Sequence, residues 1–436
     1  MDAFVVAAWS LPILILFIFI GVPVGLAMLV IGAIGSWAVF GNLSPFMSQL
    51  KTLAYTQFSS PSLAIIPLFL MMGQLASIGG LSQDIFRAAQ AFLGGRKGGL
   101  GIAAIAASAG FGSICGSSVA TVATVGQVAM PELKKAGYSK PLASAVLSAG
   151  GTLGILIPPS TLLILYAVMT EQNIAKLFLA AFIPGIMAAI CYMIVVSLYV
   201  RVSPKSAGSY EHVETENKLK LLFSVWPVFA IFLIVIGGIY SGIFTPTEAA
   251  AVGVVTTAVA AYFKGGLTRD NVKIAFEKTA VASAMLFMIV IGAAAFNSFL
   301  AVSQLPQTLA SMVLSAEISP MILLVGILIF YLILGCAMDS MSMVLLTVPV
   351  FYPMVAVMDF GMSPEHLAIW FGILVLVVVE IGLITPPVGM NLFVIKSMDK
   401  DLSVKDVYSG IWPFVTMDFV RVVFLILFPS ITLFLL

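Results

Sequence analysis

Apolar runs separated by short polar breaks follow one another along the chain. Runs at about 3 to 20 and 22 to 40 are split by Gly21-Val22-Pro23; 61 to 79, 174 to 200, 221 to 241, 246 to 263, 279 to 300 and 408 to 434 follow. Each is close to the roughly 20 residues that carry a helix across a bilayer, so the pattern predicts an all-α polytopic membrane protein. Three stretches are too polar to cross: SPFMSQLKTLAYTQF (44 to 58), LSQDIFRAAQAFL (81 to 93) and LTRDNVKIAFEK (267 to 278). Their charges recur at helical spacing among apolar residues, which predicts helices lying in the interface. A polar loop is predicted over 203 to 220.

Two regions do not fit a count of simple crossings. Residues 98 to 134 are interrupted by GFGSICGSS (Gly110 to Ser118), and 319 to 357 by GCAMDSMS (Gly335 to Ser342). Each half is about 16 residues, short of a full span, so each region is predicted to be a re-entrant helical hairpin with its tip inside the membrane. A broken crossing follows each one, over 139 to 170 and 363 to 396. Aligning Pro131 with Pro353 sets Ser118 on Ser340, and GILIPP (Gly154 to Pro159) answers GLITPP (Gly382 to Pro387). The chain is thus an internal repeat. Between the hairpins lies an odd number of crossings (139 to 170, 174 to 201, 221 to 241, 246 to 263, 279 to 300), which makes the repeat inverted.

Composition agrees. Of 436 residues, 61% are hydrophobic and 9% charged, with mean hydropathy +1.15, against roughly 45–50% apolar residues in soluble proteins. With the first hairpin opening to the cytoplasm, every Lys and Arg of the 20 except Lys51, Lys176 and Arg421 falls inside, as the positive-inside rule requires. Both termini then lie on the non-cytoplasmic side. The start, MDAFVVAAWS, lacks a basic n-region and reads as the beginning of the first helix. A net charge of +1 argues against nucleic acid as a partner, and the three cysteines, all in apolar runs, suggest no disulfide framework. No G-x-x-x-x-G-K-[ST] pattern is present, which excludes a P-loop ATPase. His212 and His366 lie in or beside loops, remote from Ser118 and Cys115, so an enzyme is not expected.

The broken segments carry the candidate chemistry. Breaking a helix in hydrocarbon leaves carbonyls and amides whose loss of partners costs several kcal/mol each unless protein, water or an ion satisfies them. Half-helix ends present carbonyls on one side and amides on the other, which suits a hard cation such as Na+ beside an anionic substrate. A first ion site is expected from Ser113, Ser117, Ser118, Gly151, Thr152 and Gly154, and a second from Gly335, Asp339, Ser340, Gly382, Thr385 and Pro386. Substrate is expected against Ser117, Ser118, Pro158, Pro159, Ser160, Ser340, Pro387 and Asn391. Small residues also serve ordinary helix packing; the coincidence of tip, break and duplication is what favours a site. Asp339 reads as an ion ligand, its support or an interfacial carboxylate, and Glu380 as either site support or a structural hydrogen bond. Glu248 reads as part of a capping box with Thr245. Asp418 and Arg421 are placed to pair with each other.

Several of these segments are familiar together. PSLAIIPLFLMMGQL (61 to 75), GFGSICGSSVATVATVG (110 to 126), GYSKPLASAVLSAGGTLGILIPPS (137 to 160), TPTEAAAVG (245 to 253) and GLITPPVGMNLFV (382 to 394) closely resemble the large membrane subunit of tripartite ATP-independent periplasmic (TRAP) transporters. The resemblance implies a Na+-coupled importer of an organic acid anion (C4-dicarboxylate, sialic acid or a related sugar or keto acid) in the bacterial inner membrane. It implies a soluble periplasmic binding protein and a small four-helix membrane subunit as partners, the latter a separate polypeptide. It also implies an elevator: a transport domain of 61–170 and 279–400 sliding against a scaffold of 1–60, 171–278 (including the arm 267 to 278) and 401–436. The alternative is a stand-alone carrier with the same paired hairpins and no binding protein.

Overall fold

The computed structural model describes residues 2–208, 221 and 223–436. Of the loop predicted over 203 to 220, the part 209 to 220, with His212, Lys218 and Lys220, lies outside the described residues. All regular structure among the described residues is helical. The first hairpin consists of Gly99–Cys115 and Ser118–Lys135, and the first broken helix of Lys140–Leu156 and Thr161–Thr170, bent by 42°. Their counterparts are the hairpin Pro320–Gly335 and Ser340–Ala356, then the broken helix Pro364–Gly382 and Met390–Met398. Both breaks contain a cis Pro-Pro bond, Pro158-Pro159 and Pro386-Pro387.

Most expected crossings are helices, but shorter than their apolar runs. Four helices are individually long and apolar enough to span: Ile174–Val202, Arg269–Val302, Pro364–Gly382 and Val404–Leu427, or up to six spans if two bent pairs count as one each. Ala3–Phe19, Val24–Phe40 and Trp226–Tyr240 are apolar but 17, 17 and 15 residues long; the left-handed turn at Gly21 and the cap at Pro23 separate the first two. One expectation changes. The arm predicted at 267 to 278 is not a separate element: Arg269–Val302 is one helix of 34 residues, capped by Thr268. Its polar first turns carry neither Gly nor Pro, so nothing breaks the backbone where the hydropathy changes. Leu305–Ser315 adds a short helix before the second hairpin. Leu81–Leu93 is a helix as expected, meeting Ile65–Ile78 at 63°.

Packing sorts these helices into two groups. Arg269–Val302 lies along Val24–Phe40 and Ile65–Ile78, which in turn packs on Pro246–Phe263. The first broken helix packs on both arms of the first hairpin, and Ile174–Val202 and Val404–Leu427 pack on it from behind. At one end of the bundle Lys134 bridges Asp399 at 2.6 Å and Asp401 at 3.3 Å. The hydrogen bond to Asp399 holds its ammonium above the usual lysine range. The Thr245–Glu248 capping box forms as expected.

Small residues make the closest helix pair possible. A Cβ on Gly25 would lie 2.6 Å from the Met288 carbonyl oxygen and 2.9 Å from Ile289 Cα, and one on Gly32 3.2 Å from Phe296 Cα. Close backbone approach of this kind is how membrane helices gain packing energy when lipid offers no hydrophobic drive. Gly25→Leu is therefore expected to lower the thermal unfolding midpoint of the detergent-purified protein, at a cost of about 1–3 kcal/mol for overpacking. Gly326→Leu, at a helical position with nothing within 4 Å, should leave the midpoint unchanged.

Candidate functional site

Each hairpin tip is built by a helix end followed at once by a cap. Gly116 ends the first helix in the left-handed region (φ 65°), its amide donating to the Gly112 carbonyl; Ser117 then caps the next helix through the Ala120 amide at 3.4 Å. A left-handed turn favours glycine because it has no Cβ to clash. At the second tip Asp339 is the cap, its carboxylate accepting from the Ser342 amide at 3.0 Å and the Ser342 hydroxyl at 2.5 Å. The expected ion ligand is thus also a helix cap, with lone pairs to spare.

Each tip sits against its own broken helix. Gly112 and Gly154 meet so closely that a Cβ on Gly112 would be 2.7 Å from Gly154 Cα; at the second tip a Cβ on Gly382 would be 2.6 Å from Gly335 Cα. The carbonyls freed at the tips are satisfied across these contacts. The Thr161 hydroxyl donates to the Gly116 carbonyl at 2.9 Å, and the Gly389 amide donates to the Cys336 carbonyl at 3.1 Å. Protein groups therefore meet part of the demand that the breaks create.

The two tips also meet one another through a single side chain. Glu380, 1% exposed, accepts from Ser340 at 3.2 Å on one carboxylate oxygen and from Ser118 on the other. Ser118 and Glu380 are 262 residues apart. Glu380 is the residue that the sequence pattern leaves undecided between site support and a structural hydrogen bond; its position before the second break was the available signal.

The other expected residues divide. Gly151, Gly154, Ser117 and Ser118 gather at the first tip with Thr121, whose fully buried hydroxyl has no partner. Pro158, Pro159 and Ser160 line the same break, Ser160 capping Thr161–Thr170. Asn391 is buried between the broken helices, donating to the Ser148 carbonyl at 3.3 Å while its own carbonyl oxygen has no partner. Ser113 turns back onto the Gly110 carbonyl of its own helix at 2.8 Å. Thr152 contacts the Tyr192 hydroxyl at 3.1 Å, and Tyr192 donates to Asp418 at 2.7 Å. Asp418 pairs with Arg421 at 3.0 Å as expected, both buried. Thr385 donates to the Ile381 carbonyl at 2.6 Å. Pro386 is half-buried and Pro387 exposed; the Pro387 carbonyl accepts from Tyr408 on the last helix, not from a tip.

At the first tip the buried Thr121 hydroxyl lies beside the Ser117 carbonyl, Gly154 and the Cys115 thiol; its hydroxyl and carbonyl oxygens are donors of the kind a hard cation takes. Among the described residues no cluster of three His, Cys, Asp or Glu is placed to hold a metal, and the three cysteines are unpaired.

Two tips lodged against two broken helices, in an all-helical multi-pass membrane chain, define a transporter permease and not an enzyme. The fold is similar to the crystal structure of the Alcanivorax borkumensis YdaH transporter, with TM-score 0.64 and 16% identity over 99% of this chain and 98% of that one. The family model of the tripartite ATP-independent periplasmic transporter, DctM component, matches residues 11–431, and the chain belongs to that family. It is 37% identical over 353 residues to the C4-dicarboxylate TRAP transporter large permease protein DctM of Pseudomonas aeruginosa, covering 79% of this chain and 80% of that protein. It is 31% identical over 433 residues to the sialic acid TRAP transporter permease protein SiaT of Haemophilus influenzae, covering 98% and 67%.

Removing the shared acceptor should be felt at both tips. Glu380→Ala is expected to lower the unfolding midpoint, since each buried hydroxyl left without a partner costs about 1–3 kcal/mol. Glu380→Gln, which keeps the shape and one acceptor oxygen, should lose less. Equal midpoints for wild type and Glu380→Ala in a thermal scan would mean that the glycine contacts alone hold the tips.

Proposed function

We propose that this chain is the large membrane subunit of a Na+-coupled importer of an organic acid anion, handed over by a periplasmic binding protein in the bacterial inner membrane. The observation that carries the reading is the joining of Ser118 and Ser340, one from each tip, on Glu380. Two oxygen-lined breaks that share one buried carboxylate give neighbouring places for cations, and the amide ends at Ser160 and Gly389 give a place for negative charge. Sodium at the first break would be held by Ser117, Ser118, Gly151, Gly154 and Thr121, with Ser113 and Thr152 behind. At the second it would be held by Asp339, Ser340, Gly335, Gly382, Thr385 and Pro386. The anion would lie against Ser117, Ser118, Ser160, Ser340 and Asn391, near Pro158 and Pro159. Its carboxylate supplies the charge that the bound sodium balances, which couples the two fluxes.

The hairpins are taken as re-entrant from opposite faces, which sets both termini in the periplasm, and a small four-helix subunit is taken to brace the frame. Movement is of the elevator type, with the two hairpins and their broken helices at the centre of the moving unit. The buried chain Thr152–Tyr192–Asp418 favours carrying Ile174–Val202 and Val404–Leu427 with the moving unit. The unbroken helix Arg269–Val302 favours a place in the frame along Val24–Phe40.

The test is uptake of a labelled C4-dicarboxylate or sialic acid into proteoliposomes holding the chain with its small subunit and binding protein. Uptake should need both a Na+ gradient and the binding protein; uptake without the binding protein would favour the stand-alone carrier. Ser118→Ala and Asp339→Ala should each raise the Na+ concentration for half-maximal uptake. Unchanged Na+ activation in both would remove these residues from the ion sites.

A further inference from the structure

Two carbonyls at the first break lose their helical donors for a covalent reason. In Lys140–Leu156 the carbonyl of residue i pairs with the amide of residue i+4, and for Gly154 and Ile155 those residues are Pro158 and Pro159, which have no N–H. The Leu153 carbonyl keeps its donor, the Ile157 amide at 3.0 Å. The two freed carbonyls therefore belong to the last turn of this helix, and their direction depends on how that turn is held.

The turn is held from behind. Thr152 follows Gly151 by about 100° around the helix and precedes Gly154 by about 200°, so its side chain points away from Ser117 and Thr121, the tip residues that face Gly154. The single hydrogen of the Thr152 hydroxyl has two acceptors: the Ala149 carbonyl at 2.7 Å and the Tyr192 oxygen at 3.1 Å. Tyr192 can only accept there, because its own hydrogen goes to Asp418 at 2.7 Å. The Tyr192 ring is fixed on two sides, with the Arg421 guanidinium carbon 5.7 Å from its centroid and the Phe414 ring packed edge-on at 5.8 Å. Asp418 is fixed in turn by Arg421 at 3.0 Å. All four polar residues are buried, and charges so placed in a membrane interior are expensive to keep without a use.

The duplication gives this set a counterpart. Setting Gly154 on Gly382 places Thr152 on Glu380. In the second half the carboxylate sits on the broken helix itself and accepts directly from Ser340 and Ser118. In the first half that position carries a hydroxyl, and a carboxylate reaches it from Val404–Leu427 by way of Tyr192 on Ile174–Val202.

We infer that Tyr192 and Asp418 are positioning residues for the first ion site: through Thr152 they set the direction of the freed Gly154 and Ile155 carbonyls, and with it the affinity for sodium. The inference rests on the uptake reading above and deepens its first site. Neither residue touches the ion.

The experiment measures two Na+ concentrations for wild type, Tyr192→Phe, Thr152→Val and the double variant: the one that half-maximally raises the thermal unfolding midpoint of the purified chain with its small subunit, and the one that half-maximally drives uptake. Tyr192→Phe keeps the ring against Arg421 and Phe414 and removes only the hydroxyl. It should raise both concentrations about three- to tenfold, the scale of one hydrogen bond. Thr152→Val loses the same bond from the other side and should show a rise of its own. Because Tyr192 acts through Thr152, the double variant should need no more Na+ than Thr152→Val alone. A merely structural role would lower the midpoint equally with and without sodium and leave the half-maximal concentrations at the wild-type value. That result in either single variant, or additive rises in the double variant, would overturn the inference while the uptake reading stands. A wild type whose midpoint and uptake both ignore Na+ would overturn the uptake reading, and this inference with it.

Discussion

A helix broken inside hydrocarbon must have its freed backbone groups satisfied by protein, and the whole arrangement depends on how this chain does so. Each break is faced by a tip. Gly154 receives Gly112, Gly382 receives Gly335, and the hydroxyl of Thr161 and the amide of Gly389 take up tip carbonyls. Because the contacting residues are glycines, backbone meets backbone and no side chain stands between the carbonyls and the space they face. The same close approach forbids a bulky residue at these positions.

Glu380 turns two separate pairings into one site. A carboxylate buried to 1% exposure is costly to place in a membrane interior, and it is accepted here where hydroxyls from both tips donate to it. The consequence is physical linkage: a shift of either tip changes the surroundings of a carboxyl group that the other tip also contacts. A second buried set, Thr152, Tyr192, Asp418 and Arg421, lies behind the first break and ties it to two further helices. The ends of the repeats are joined again by Lys134 with Asp399 and Asp401.

The sequence made local chemistry legible and left long-range chemistry hidden. Pro-Pro pairs, Gly and Ser clusters and the duplication of GILIPP as GLITPP mark the breaks and tips because each is a local backbone signal. Helix caps at Thr245, and the i, i+3 pair Asp418–Arg421, are legible for the same reason. Glu380 was visible only as a carboxylate in an apolar run; its partner Ser118 lies 262 residues away, and no spacing rule reports such a contact. Thr121 was one hydroxyl among several until burial left it without a partner. The polar start of Arg269–Val302 read as a separate arm because hydropathy changes there while backbone preference does not.

Tips proposed to enter from opposite faces should close on interrupted helices at one depth. A density map of the chain with its small subunit in a lipid disc measures this directly. It should find both helices interrupted, between Leu156 and Thr161 and between Gly382 and Met390, with the serines of the two tips on either side of Glu380. Continuous helices through those Pro-Pro breaks, or two tips entering from the same side of the bilayer, would contradict it.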